Sequence, residues 1–127
     1  MDKAEWLLTM WMLHDAKLHV RYLQASQIWL EPQQTVLNAL LEKFATIEEA
    51  LTELASNADR LRADSNDLAQ LNVQFQAAFP FADGLGQTIA NATWAVIFHI
   101  HTCWADGSVL VVEAAVLMEP GQPTPRG

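Results

Sequence analysis

The sequence predicts a mainly α-helical fold, a helical bundle built around a long heptad-patterned helix over about residues 33–79. Three observations carry that prediction. From residue 37 to residue 79 side chains recur at heptad spacing, with Leu37, Phe44, Leu51, Ala58, Ser65, Asn72 and Phe79 at a and Leu40, Ile47, Leu54, Leu61, Leu68 and Phe75 at d. Eleven of these thirteen are apolar and no Gly or Pro interrupts the run, so they form one seam that other helices must cover. Hydrophobic residues make up 51% of the chain and charged residues 17%, enough for a core and far from a disordered composition. Helix breakers flank the run, Pro32 before it and Pro80, Gly84 and Gly86 after it.

Residues 3–30 read as the first helix. Trp6, Leu7, Trp11, Leu18, Tyr22, Ala25 and Trp29 fall within one broad apolar arc, while Met10, His14, Lys17, Arg21 and Gln24 form a more polar line. Leu18, Val20 and Tyr22 also alternate with Lys17, His19 and Arg21 in a strand-like pattern, but it lasts only six residues and length favours the helix. Pro32 closes this element and suits the opening of the next.

The heptad segment reads as one continuous helix, about 70 Å long at 1.5 Å per residue, because its register never slips. The alternative is a break at Asp64-Ser65-Asn66-Asp67, where cap-forming residues follow Arg60 and Arg62 and Asp67 stands at capping-box spacing from Gln70. Such a seam outruns the first helix, which spans about 42 Å. The remaining cover is expected from the C-terminal elements or from a second copy of the chain.

Residues 87–118 support two readings. Thr93 to Trp104 is almost wholly β-branched or aromatic, and Asp106-Gly107 precedes Val109 to Val112, which suggests a β-hairpin over 93–118 and an α+β fold. Thr88, Asn91, Ala95, His99, Thr102 and Asp106 instead recur at helical spacing, and the helices elsewhere tip the preference towards two buried helices. Residues 1–119 are expected to form a single helical domain, followed by a flexible Pro/Gly-rich tail at 120–127.

The net charge of −8 is unevenly placed. Residues 1–30 are neutral, whereas residues 31–83 carry nine acids against Lys43, Arg60 and Arg62, leaving −6. That balance disfavours direct contact with nucleic-acid phosphates, which is driven largely by Lys and Arg. Polar residues interrupt the apolar C-terminal stretch, so no membrane span is expected. The lone Cys103 offers no internal disulfide, and the start of the chain shows no basic leader, so a cytoplasmic setting is expected.

Chemistry-bearing motifs are scarce. His99, His101 and Cys103 alternate, and on a strand they would share one face and offer a metal site, whereas on a helix the site disappears. Glu48, Glu49 and Glu53 lack the Glu-x-x-His partner of di-metal bundles. No phosphate loop or activated nucleophile is present, so neither catalysis nor a cofactor is expected. The function these features favour is a non-catalytic, acidic protein-binding module that works by helix packing: an adaptor, chaperone-like protein, inhibitor or assembly subunit, with homodimerisation expected. A metal-binding helical protein or enzyme using His99, His101 and Cys103 is the alternative. The candidate contact residues are the acids Glu42, Glu48, Glu49, Glu53 and Asp59, with Trp6 and Trp11 as apolar anchors. Asn72 and Ala58, both at a positions, are candidates for fixing register and oligomeric state.

Overall fold

The structure is a computed structural model that describes residues 3–53, 58–80 and 84–105. Four helices account for nearly all of them: α1 (Lys3–Ser26), α2 (Glu31–Glu53), α3 (Ala58–Ala78) and α4 (Gly84–Ala105). α1 packs against α2 and α4, and α3 packs against the same two, so the helices form a closed ring around one core. Bonds between helix ends fix an up-down-up-down order. Trp6 at the start of α1 donates its indole N–H to the carbonyl of Leu51 near the end of α2, 3.0 Å away. Gln33 at the start of α2 donates to the carbonyl of Ala78 at the end of α3, and His99 near the end of α4 reaches the carbonyl of Glu5. This is an antiparallel four-helix bundle, with no strand among the described residues.

The expected 33–79 helix is therefore two helices. α2 ends at Glu53, α3 begins at Ala58, and they lie side by side, held by Lys43 reaching both Asp64 at 3.6 Å and Asp67 at 3.4 Å. The proposed break at Asp64 to Asp67 is also displaced, because those residues lie inside α3. The seam itself is real. Every a and d side chain described, from Leu37 to Phe79, is buried, including polar Ser65 and Asn72. Unbroken phase failed to report the reversal because both antiparallel helices aim their a and d residues at the same core.

α4 settles the first half of the C-terminal alternatives. Residues 93–105 are helical, so a hairpin over 93–118 is excluded at its first strand. Ile89, Thr93, Val96, Ile97 and Ile100 bury one face at spacings of three and four, and Thr93 bonds the carbonyl of Ile89 instead of a neighbouring strand. Tertiary burial overrides the strand propensity of β-branched residues here. Residues 106–127 lie outside the described residues, as do the second C-terminal helix and the tail expected there. No described helix is long and apolar enough to cross a membrane.

α1 supplies another correction. Its buried line is Thr9, Leu13, Ala16, Val20 and Leu23. Most of the arc rich in aromatic residues turns the other way. Leu7, Trp11, Leu18 and Tyr22 are exposed, and only Trp6 of the arc's first turns reaches the core edge. Small Thr9 and Ala16 suit close helix packing, which explains why the less bulky line faces inward. With α1 and α4 completing the ring, the seam is covered within one chain, and the argument for a dimer from uncovered seam no longer applies.

Candidate functional site

Among the described residues, the outer surface of α1 is unusually apolar. A helix with one buried face normally presents charge on the other, yet Trp11, Leu18 and Tyr22 are each about two-thirds exposed, at 64, 65 and 68%. Leu7 and Leu8 extend the stripe towards the start of the helix, and exposed Ala4 and Ala25 end it. Ala4, Trp11, Leu18 and Ala25 stand seven residues apart, so they form a straight line along the helix.

Polar residues beside the stripe pin α1 to the rest of the bundle. Glu48 of α2 accepts Lys17 Nζ at 3.4 Å on one oxygen and lies 3.3 Å from His14 Nε2 on the other. Gln24 donates to Gln34 and to Asn38, both on α2. The outward face of α1 is consequently presented on a helix that is anchored at several levels.

The candidate residues divide accordingly. Trp11 is exposed within the stripe, whereas Trp6 is half-buried against the core with its N–H bound to Leu51. Glu42, Glu49, Glu53 and Asp59 are exposed on α2 and α3. Glu48 is instead held by Lys17 and His14, between the helices. Asn72 is fully buried, and its amide donates to the carbonyl of Ala90 on α4 at 3.3 Å, so the polar group acts on α3–α4 packing inside one chain. Ala58 is the first residue of α3, and its side chain lies outside the described residues.

Helical geometry separates the histidines of the metal alternative. Positions two apart on a helix differ by about 200°, and His99 is buried against the carbonyl of Glu5 while His101 is half-buried. Burial holds the His99 pKa below 6.5, opposed by its hydrogen bond to Glu5 and by the Glu5 charge. The Cys103 side chain lies outside the described residues. Among those described, no three His, Cys, Asp or Glu side chains come together as a metal site.

A cleft of about 570 Å³ opens where α1 and α3 end and α2 and α4 begin. Leu23, Trp29, Phe79 and Leu85 give it apolar walls, with Trp29 edge-on to Phe79 at 4.9 Å between ring centres. Three of its polar side chains are already engaged. Trp29 and Ser26 both donate to the carbonyl of Leu23, and Gln33 bridges Leu30 and Ala78.

Sequence reasoning missed Leu7, Leu18 and Tyr22 as surface residues. The available signal was the presence of two apolar lines on one helix, since a bundle can bury only one of them. Searches with family models, curated proteins and solved structures gave no match to this chain.

Proposed function

We propose that this chain is a non-catalytic helical binding module that docks on protein through the outer face of α1. The observation that carries the reading is the exposed stripe of Leu7, Trp11, Leu18 and Tyr22 on a helix whose opposite face is fully buried. Trp and Tyr are residue types enriched at interface hot spots, and leucines beside them extend an exposed apolar patch of the kind that marks an interaction site. The exposed acids Glu42, Glu49, Glu53 and Asp59 lie on α2 and α3, outside this stripe.

Photo-crosslinking from single positions tests this reading. A benzophenone amino acid replacing Leu18 is expected to yield a protein adduct of defined mass, whereas the same group at Glu49 yields little. Adducts from Glu49 or Asp59 alone would move the docking surface to the acidic helices. No protein adduct from any of the three would overturn the binding-module reading.

A further inference from the structure

We propose that the occupant of the α1 face is a second copy of the same chain, with the two α1 helices packed antiparallel about a two-fold axis passing between His14 and Asp15. This inference rests on the binding-module reading above and names its partner. A two-fold interface must match a surface to itself, so each residue meets its reflection through the axis. Reversing α1 about that axis places Trp11 opposite Leu18 and Leu7 opposite Tyr22, large apolar groups on large ones. The same reversal sets small Ala4 against small Ala25, where the helix ends approach. At the centre it sets His14 of each copy against Asp15 of the other, a polar pair that places a ring nitrogen opposite a carboxylate acceptor. Arg21 falls opposite Leu8, over which its aliphatic stem can lie.

Charge and area agree with this placement. The chain carries −8 overall and residues 31–83 hold −6 of it, so the α2 and α3 faces of two copies repel, whereas residues 1–30 are neutral. Trp11 and Tyr22 at their observed exposures offer roughly 300 Å² between them. The three leucines, with His14, Arg21 and the alanines near the helix ends, enlarge that patch, so that the face available is on the order of the 800 Å² per copy that a standard interface buries.

The test begins with the absolute mass of the intact chain in solution. Light scattering should give twice the 14.2 kDa of one chain. Leu18→Glu should raise the dissociation constant at least about 30-fold, with helicity unchanged and the thermal midpoint unchanged in dilute protein, where both chains are monomeric, because Leu18 is exposed. Orientation is read in a Cys103→Ser background. Leu7→Cys protein mixed with Tyr22→Cys protein should form a mixed disulfide, and neither should link to itself. Self-linking would overturn the antiparallel arrangement, and a Leu18→Glu chain that stays dimeric would overturn the surface. A wild-type chain that is monomeric up to about 100 μM, above the micromolar limit of interfaces this size, would overturn the second copy as occupant. In that case a Leu18 crosslink to a different protein leaves the binding-module reading standing, and an internal crosslink to residues 107–118 assigns the face to this chain's own C-terminal run.

Discussion

The side-chain amide of Gln33 donates to the carbonyl of Ala78 at 3.1 Å, while its oxygen accepts the main-chain N–H of Leu30, also at 3.1 Å. One side chain thus caps the start of α2 and the end of α3. Both helix ends have main-chain groups without intrahelical partners, and Leu30 is not itself a capping residue type. Gln33→Ala removes both bonds and should cost about 1–2 kcal/mol. Gln33→Glu keeps the acceptor for Leu30 but loses the donor to Ala78, and should fall between the two. Urea denaturation of the three proteins checks the order.

Asn72 carries the clearest polar strain in the core. Its amide nitrogen bonds the Ala90 carbonyl, but its Oδ1 is buried without a hydrogen-bond partner. Ala90 lies inside α4 and retains its helical bond if Asn72 is replaced. Asn72→Leu should therefore stabilise the bundle by about 1 kcal/mol, since it removes an orphaned acceptor and strands no partner. A rise in the denaturation midpoint at unchanged m-value checks this, and a fall would show that the Ala90 bond outweighs the orphan.

The seam was legible because burial and helical period are coupled: Leu37, Phe44 and Leu51 must share a face whatever they pack against. The number of helices was not legible, because an in-phase reversal between Glu53 and Ala58 leaves the pattern of inward residues intact. The cap-forming residues that suggested a break stand instead at Asp64 to Asp67, inside α3. Asp64 in fact uses its carboxylate to reach Lys43 across the α2–α3 contact, not to cap a helix. In α1 the choice of inner face was illegible, because bulk suggested the aromatic arc whereas close packing selected Thr9, Leu13, Ala16, Val20 and Leu23.

Lys43 and Asp64 predict where charge matters to stability. Asp64 is buried, and Lys43 approaches its Oδ1 at 3.6 Å while Arg60 stands 4.0 Å from Oδ2. Lys43→Ala leaves a largely desolvated carboxylate with only the more distant arginine, and should cost about 1–3 kcal/mol. Glu49→Ala alters an exposed acid and should stay within about 0.5 kcal/mol. Thermal melts of both variants test the contrast, and equal effects would mean that the Lys43 bridge is solvent-screened.

His99 gives the bundle a pH dependence of determined sign. Desolvation holds its folded pKa below the ordinary 6.5, against the opposing hydrogen bond and charge of Glu5. Above 6.5 the imidazole is neutral in both states, so its full contribution is present. As pH falls through 6.5 the unfolded chain takes up a proton that the folded chain refuses, and stability declines by at most about 1.4 kcal/mol per pH unit. Denaturation free energies between about pH 6.5 and 5.5 should therefore fall more steeply for the wild type than for His99→Gln. Parallel slopes would mean that His99 charges without disturbing α1.

Two tryptophans on one helix should behave as opposites. Trp6 packs against the core and donates to the carbonyl of Leu51, so Trp6→Ala empties volume between α1 and α2 and removes their end-to-end bond. The expected loss is about 2–4 kcal/mol, and Trp6→Phe should recover most of the packing but not the bond. Trp11 is 64% exposed, and in dilute protein Trp11→Ala should change stability by no more than about 0.5 kcal/mol. At high concentration Trp11→Ala should lower the melting temperature relative to wild type, because association stabilises the folded chain by mass action only where the contact face survives. A concentration-dependent gap for Trp11→Ala beside a concentration-independent loss for Trp6→Ala separates a surface anchor from a core residue. Identical behaviour at every concentration would assign both tryptophans to packing within one chain.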